Sequence, residues 1–286
     1  MTTSGASGTD ALAAQPRALI VSIYGMYGRD TGGWFAVAVL IRLLAELGID
    51  EPAVRSAISR LKQRGLLESQ RHNGAVGYGL TARGREIIAE GDRRIFHRLP
   101  PDGSGDWLLA VFSVPEHERA RRHALRSRLG WLGFGSVAPG VWIAPARLAG
   151  ETRDVLEADG LTGYVSLFTA GYLAFGDASD MVGRWWDLDR LEHLYQAFID
   201  AAQPVLGRWQ RSQVSPHERA GRAFADYVRV LTAWRRLPFL DPGLPPAALP
   251  PDWNGSRAAD LFDRLQGRLG PAAREHVLGL TREPAP

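Results

Sequence analysis

The stretch IDEPAVRSAISRLKQRGLLESQRHNGAVGYGL, residues 49–80, decides the fold of the first third of this chain. Asp50 can cap a helix that carries Pro52 in its first turn. Gly65 can end the same helix, because glycine adopts the left-handed conformation that follows many helices. The stretch therefore predicts one short, well-bounded helix, followed by a segment rich in turn residues.

The two faces of this predicted helix differ in chemistry. Val54, Ile58 and Leu61 recur at i, i+4 and i+7 and should face the core. The remaining positions of the same turns then point outward: Arg55, Ser56, Ser59 and Arg60. Arginine can form bidentate hydrogen bonds to guanine, and serine can contact bases or phosphates.

A small hairpin should follow the helix. We predict short strands at residues 67–71 and 78–80, with Asn73-Gly74 as a strong turn signal inside a six-residue connection. Apolar residues that recur at helical spacing, among them Leu19, Ile20 and Leu40, predict two earlier helices. Thr81 can cap a later helix. This order is typical of a winged helix-turn-helix, in which one helix enters the DNA major groove beside a hairpin wing.

The candidate DNA-contacting residues fall into two groups. Residues at the start of a recognition helix usually reach base edges, and those near its end and in the wing more often contact phosphates. The first group is Arg55, Ser56, Ser59 and Arg60, and the second is Lys62, Arg64, Arg71 and Asn73. The alternative interpretation is a solvated charged helix face without a partner.

The whole chain is predicted to be α+β with three structured domains. A disordered tail, residues 1–16, precedes the winged helix-turn-helix at 17–98, and the proline- and glycine-rich residues 99–106 form a linker. Residues 107–178 alternate strands and helices in the order βαββαβ, which is typical of a ferredoxin-like domain. Residues 179–283 should form a helical domain for dimerisation or effector binding, interrupted by a nonhelical proline-rich loop from Pro238 to Pro251.

Composition narrows the class of protein. The chain has 286 residues, a formal net charge of +3 and no cysteine, so disulfides and thiolate metal sites are excluded. No run of residues has the length and apolarity of a membrane helix, and the N-terminus lacks the basic and apolar regions of a signal peptide. We therefore expect a cytoplasmic protein that does not bind membranes.

Other motifs give weaker indications. Glu116-His117-Glu118 and His123 offer acid–base or metal chemistry, but acidic residues also suit the start of a helix. The glycine-rich residues 130–135 lack the flanking strand and helix of a nucleotide-binding loop. We expect neither a metal nor a cofactor. Most tryptophans in the C-terminal half should be core or domain-interface residues. A few could line an effector pocket, where an arginine would meet an anionic group, and the candidates are Trp234, Arg235, Arg236 and Trp253.

Three ordered clusters of residues, between about residues 17 and 277, match the sequence pattern of a known family. The first contains Tyr24-Gly25, Leu40-Ile41, Val54–Leu61, Gly65–Leu67 and Leu80-Thr81. The second contains Trp107, Val111–Glu116, Leu132–Gly135 and Trp142–Pro145. The third contains Trp186–Leu188, Asp241-Pro242, Leu244-Pro245, Leu249-Pro250 and Trp253. In these three clusters the chain resembles the PaaX family of bacterial transcriptional repressors.

The resemblance implies a DNA-binding repressor that acts as a homodimer on a double-stranded operator and is released by an acyl-CoA effector, phenylacetyl-CoA in the best-known members. It also implies a middle domain similar in fold to a small CRISPR-associated nuclease, which relies on an aspartate at the end of its first strand. Residues 110–114, Ala-Val-Phe-Ser-Val, hold no carboxylate there, so we expect no nuclease activity and no enzyme. The family has a histidine and an aromatic shortly before Arg235, where this chain has Thr232 and Trp234, and the effector could therefore differ.

Two other functions stay open. An architectural DNA- or RNA-binding protein would use the same basic surface with weak sequence preference and a steep salt dependence. A nuclease, or another enzyme carrying a regulatory domain, would need a positioned nucleophile, acid–base pair or metal site.

Overall fold

The computed structural model describes residues 15–96, 106–173, 178–211, 216–244 and 248–282. Most of the predicted tail and most of the predicted linker therefore lie outside the described residues. The chain combines helices with two small antiparallel sheets, so the predicted α+β class is confirmed. Its contacts divide it into two compact units: the first combines residues 1–97 with 195–235 and 255–286, and the second combines 98–194 with 236–254.

The N-terminal part of the first unit alternates helices with a three-stranded sheet. Its helices are α1 (Pro16–Tyr27), α2 (Val37–Ala45), α3 (Glu51–Gln63) and α4 (Ala82–Phe96), and its strands are β1 (Trp34–Ala36), β2 (Leu67–His72) and β3 (Ala75–Leu80). The strands are ordered β1-β3-β2 and all pairs are antiparallel. The core contains Ile20, Ile23, Leu40, Leu43, Leu44, Val54 and Ile58, each at most 2% exposed.

Three long helices complete the first unit. They are the part of α8 (Leu188–Arg211) that begins at Tyr195, together with α9 (Pro216–Trp234) and α11 (Asn254–Arg282). Trp234 is 1% exposed and stacks on Phe262 at 4.9 Å between ring centroids. The hydroxyl of Ser22 in α1 lies 2.7 Å from that of Thr232 in α9, and both are buried. Since Thr232 donates to the Val228 carbonyl, Ser22 is the donor of this pair.

The second unit is built on a four-stranded antiparallel sheet. Its strands are β4 (Trp107–Phe112), β5 (Gly135–Ala138), β6 (Val141–Pro145) and β7 (Val165–Ala170), in the order β5-β6-β4-β7. A 3-10 turn (Glu116–Glu118) leads into α5 (Arg119–Trp131) after β4, and α6 (Ala149–Ala158) precedes β7, so the elements follow the predicted order βαββαβ. One core includes Leu108, Leu125 and Leu156, and a second includes Trp107, Val182 and Leu244. The helices α7 (Ala178–Trp185) and α10 (Leu237–Leu240) belong to the same unit.

The compact units are divided differently from the predicted domains. Residues 179–283, predicted as one helical domain, are shared between the two units, and the boundary at residues 194 and 195 falls within α8. Sequence order gives no signal for this division, because the hydrogen bond between Ser22 of α1 and Thr232 of α9 links residues 210 positions apart.

One local expectation is wrong, and one strand was not predicted. Residues 238–251 were predicted to contain no helix, but Leu237–Leu240 form a single helical turn; Pro238 fits there because proline is tolerated in the first turn. The three-residue strand β1 was missed, since it forms only by pairing with β3, where Phe35 lies opposite Tyr78.

Within the described ranges, no helix has the length and apolarity needed to cross a membrane.

Candidate nucleic-acid interface

The helix α3 starts and ends as its sequence predicts. The carboxylate of Asp50 accepts a hydrogen bond from the backbone N–H of Ala53 at 2.8 Å, which satisfies one of the free donors of the first turn. Gly65 has φ of +69°, the left-handed conformation that ends the helix. Val54, Ala57, Ile58 and Leu61 are buried, so the orientation of α3 about its axis is fixed by packing.

All eight residues predicted to contact DNA are exposed. They are Arg55, Ser56, Ser59, Arg60, Lys62, Arg64, Arg71 and Asn73. The first six lie on the outward face or at the end of α3, and the other two lie on the hairpin formed by β2 and β3. The structure therefore brings the predicted residues to one module, although contact with DNA stays a prediction.

Arg55 has a partner that the sequence reasoning missed. Its Nε and Nη2 lie 2.7 and 2.6 Å from Oε1 of Glu51, one helical turn earlier. The spacing i, i+4 is a known pattern for ion pairs on helices, so the signal was present in the sequence. This pair orients the guanidinium at the start of α3 and competes with any acceptor on a nucleic acid.

The hairpin formed by β2 and β3, called the wing below, has a shorter connection than predicted. β2 ends at His72 and β3 begins at Ala75, so the connection is the two residues Asn73-Gly74 and not six. Their φ values are +49° and +82°, as a type I′ turn requires. The error came from treating Gly77 as a loop residue, whereas it pairs with Gln70 within the strands.

Trp34 supports the wing from its side and was not among the predicted residues. Its ring stacks on the imidazole of His72, with centroids 4.7 Å apart and planes at 20°. A Cβ added at Gly77 would lie 2.5 Å from the same ring and 2.3 Å from the carbonyl oxygen of Phe35. Gly77 is therefore required where β3 passes under Trp34, and the stack fixes the end of β2 that carries the turn.

Two contacts tie the wing to the helices around it. The ammonium of Lys62 lies 5.7 Å from the ring centroid of Tyr78, within the range of a cation–π interaction. The hydroxyl of Tyr24 in α1 donates to the carbonyl of Tyr78 at 2.7 Å. Burial raises the pKa of Tyr24 well above its ordinary value, so this donor keeps its proton at any physiological pH. These two contacts connect the hairpin to α3 and to α1.

The candidate effector residues are divided between the two units. Trp234 is in the core of the first unit, and a guanidinium nitrogen of Arg235 lies 3.3 Å from the carbonyl oxygen of Ala18. Arg236, which is exposed, and Trp253, which is 8% exposed, belong to the second unit. The buried position of Trp234 agrees with the core role expected for most of the tryptophans in the C-terminal half.

The acidic and histidine motif after β4 is used within the fold. The hydroxyl of Tyr164 donates to the Glu118 carboxylate, and this bond raises the pKa of Tyr164. Glu116 pairs with Arg119 at 3.0 Å and with Arg122 at 3.0 Å. In the part of the chain that the structure describes, no three His, Asp or Glu side chains converge as metal ligands would.

Comparisons with known proteins agree on one family. Three family models match consecutive parts of the chain: "PaaX-like protein" at residues 15–84, "PaaX protein central Cas2-like domain" at 100–182 and "PaaX-like protein C-terminal domain" at 186–279. The chain is 28% identical over 264 residues to the transcriptional repressor PaaX of Escherichia coli strain K12. The match covers 91% of this chain and 82% of that protein.

A solved structure has a similar fold. It is that of the uncharacterized protein Rv0674 from Mycobacterium tuberculosis, with a TM-score of 0.59 and 24% sequence identity. The match covers 92% of this chain and 99% of the other. At this identity the likeness shows the fold alone.

Proposed function

The chain belongs to the PaaX family, and we propose that it is a sequence-specific, DNA-binding transcriptional repressor without catalytic activity. The observation that carries the proposal is the outward face of α3. Arg55, Ser56, Ser59 and Arg60 are exposed together, while the opposite face of the same helix is buried. In this proposal residues 17–98, of which the structure describes 17–96, form a winged helix-turn-helix. The repressor activity of the Escherichia coli relative supports it.

In the proposed interface, different residues contact the bases and the phosphates. The first turns of α3 would enter the major groove, where the guanidinium of Arg55 or Arg60 can bond to a guanine edge. Lys62, Arg64 and the wing residue Arg71 would contact phosphates and set the register of the helix on the duplex. Because Trp34 and Tyr78 hold the wing against neighbouring elements, both parts of the surface would engage together.

We further propose that two copies bind a palindromic operator. A two-fold dimer presents two recognition helices, and half-sites then lie one DNA turn apart, about 34–36 Å, or a multiple of it. A footprint on the operator should therefore show two protected half-sites related by symmetry. This part of the proposal rests on the family and on the DNA-reading geometry, since a single chain carries one such helix.

The proposed effector is an aromatic acyl-CoA, with phenylacetyl-CoA as the first compound to test. An effector that binds the DNA-free conformation more tightly would lower operator affinity, by the ratio of its affinities for the two conformations. Arg236 and Trp253 of the second unit are the candidate contacts that are not already placed in the core of the first unit. Arg236→Ala should therefore change effector response and leave operator binding without effector unchanged.

The test is a titration of the full-length protein on DNA from upstream of its own gene. It is run at fixed, near-physiological salt against scrambled competitor DNA, with and without phenylacetyl-CoA. Tight, competitor-resistant binding that is lost with the ligand supports both the repressor and its effector class. Specific binding that does not change when the ligand is added supports the repressor and rejects phenylacetyl-CoA as its effector. Equal binding to operator and scrambled DNA, with a steep salt dependence, would favour the architectural alternative.

A further inference from the structure

The turn between α2 and α3 has a defined geometry. Gly48 has φ of +78°, Gly48 N–H donates to the Ala45 carbonyl at 2.9 Å, and Ile49 N–H donates to the Leu44 carbonyl at 3.0 Å. These two bonds form a Schellman motif that ends α2. The chain then reaches the capping residue of α3 within one further residue. The direction of α3 therefore depends directly on how the end of α2 is held.

A residue from the C-terminal half of the chain holds that end. Nη2 of Arg229 in α9 donates to the backbone carbonyl of Leu47 at 3.1 Å. The carbonyl groups at the C-terminal end of a helix carry partial negative charge and have no partner within the helix. A guanidinium placed there satisfies an acceptor and complements the helix dipole. Arg229 thus caps α2 from another helix, 182 positions later in the sequence.

A second residue holds the neighbouring position from α11. Nε2 of His276 donates to the carboxylate of Glu46, at 2.9 and 2.8 Å from its two oxygens. The imidazole also packs on Phe224 of α9, with ring centroids 5.7 Å apart. A Cβ at Gly221 would lie 3.5 Å from both the carboxylate and the imidazole, so α9 closes over the pair. A carboxylate at the C-terminal end of a helix is disfavoured by the dipole, and a donor from outside the helix offsets that cost.

We propose that Arg229 and His276 are positioning residues for the recognition helix. They fix the end of α2, so a displacement of α9 or α11 changes the direction of α3 and lowers operator affinity without altering any residue on the DNA-facing surface. This inference rests on the proposed function. It makes the C-terminal helices the direct means of controlling DNA binding, since all of these residues lie in one compact unit.

The geometry favours a positioning role over an incidental surface contact. The side chains of His276 and Glu46 are only 19% and 28% exposed. Their contact is therefore unlike a fully exposed ion pair, which contributes little to stability. Both contacts also reach two adjacent residues directly after α2, Leu47 and Glu46. Mutations of residues that couple two sites change that coupling by a factor of about 2 to 30.

The experiment compares matched variants of the full-length protein in operator titrations. Arg229→Ala and His276→Leu should each weaken specific binding about 2- to 30-fold. Arg222→Ala is the control, because Arg222 is an exposed arginine on the same helix and its loss changes the charge equally. Arg229→Lys and His276→Gln keep a donor and should restore most of the affinity.

Hydrogen exchange separates positioning from general loss of stability. In Arg229→Ala the amides of Gly48 and Ile49 should exchange faster than in Arg222→Ala, while amides in the core of α4 stay protected. All titrations are run at a temperature where circular dichroism shows each variant to be folded. Should Arg229→Ala fail to fold, His276→Leu and Glu46→Gln decide the matter in its place.

The outcomes for the inference and for the proposed function are distinct. If the wild-type protein does not distinguish operator from scrambled DNA, the proposed function fails. If the wild-type protein does distinguish them but Arg229→Ala and His276→Leu bind as tightly as Arg222→Ala, the positioning role is wrong. Weakened binding with unchanged exchange at Gly48 and Ile49 would also overturn it, since the loss would then arise elsewhere.

Discussion

Replacing Glu51 with glutamine should tighten operator binding, because the carboxylate now holds the guanidinium of Arg55. Two guanidinium nitrogens of Arg55 lie 2.6 and 2.7 Å from Oε1 of Glu51, and the two side chains are 58% and 50% exposed. A bidentate contact to guanine uses the same face of the guanidinium. Arg55 must therefore give up at least part of the pair with Glu51 before it can read a base.

The size of the effect follows from the exposure of the pair. An exposed i, i+4 ion pair contributes about 0.3–0.5 kcal/mol, which is about a factor of two in Kd. The carboxylate also repels phosphates, by about 0.4 kcal/mol for a charge about 10 Å away in water, before screening by salt. Glu51→Gln should thus bind about two- to fourfold more tightly. Arg55→Ala should bind about 5- to 150-fold more weakly, from the loss of about 1–3 kcal/mol of base contact.

Glu51→Gln should lower the stability of the folded protein although it raises operator affinity. Glu51 lies in the first turn of α3, where a negative charge is stabilised by the helix dipole by about 0.3–1 kcal/mol. Glu51→Gln should therefore lower Tm by roughly 1–4 °C while it raises affinity. Opposite changes in stability and affinity would distinguish this effect from a general loosening of the module.

Fluorescence anisotropy of a labelled operator, at fixed salt, measures the affinity. Glu86→Gln is the matched control, since Glu86 is an exposed carboxylate on α4 and its neutralisation changes the net charge equally. In an Arg55→Ala background, Glu51→Gln should lose about half of its gain. The reasoning is refuted if Glu51→Gln binds no more tightly than Glu86→Gln, or if Arg55→Ala binds like the wild type.

Three further substitutions test other parts of the structure. Gly77→Ala should destabilise the wing by about 1–3 kcal/mol, because its Cβ has no room beside Trp34; a thermal melt without loss of Tm would contradict this. Asp30→Asn should lower the free energy of unfolding by about 1 kcal/mol or less at pH 7. Arg274 holds the pKa of Asp30 below its usual range, so this stabilisation is complete above about pH 4 and is lost as the pH falls through the folded-state pKa. Urea titrations of wild type and variant should therefore converge only in acid. Trp234→Ala should cost about 3–5 kcal/mol of unfolding free energy, whereas a residue that only contacts an effector would leave urea unfolding unchanged.

The helix α3 was predictable from the sequence because its signals are local. The capping side chain, the proline of the first turn and the glycine after the last turn all lie within 16 residues, and each acts on its immediate neighbours. The apolar period then decided which side chains face outward. The pair between Glu51 and Arg55 was equally local and was missed only because the arginine was considered as a reader of bases and not as an ion-pair partner.

The wing and β1 were less predictable because their conformation is set by residues that are distant in sequence. Gly77 looks like a loop residue until Trp34 is known to lie across it. Trp34 in turn belongs to a strand of only three residues, which no alternation of apolar and polar residues could reveal. Packing between separate segments overrode the local preference at both positions.

The division into units shows most clearly what sequence order conceals. Ser22 and Thr232 are small polar residues in two different helices, and each by itself is compatible with an exposed position. Only their mutual hydrogen bond makes burial of both acceptable, since an unpaired buried hydroxyl is costly. A pair of this kind is visible neither as an apolar stripe nor as a charge pattern, so α1 and α9 could not be assigned to one core in advance.

This division changes how regulation of DNA binding should be understood. If α3 and the wing formed a separate domain on a linker, an effector could act on them only by moving that domain as a whole. In the structure, α9 and α11 share a core with α1, and they contact the end of α2 through Arg229 and His276. A ligand or partner that shifts either helix by a fraction of a helical turn would therefore act on the direction of α3 itself, because packed cores switch between discrete arrangements and do not deform continuously.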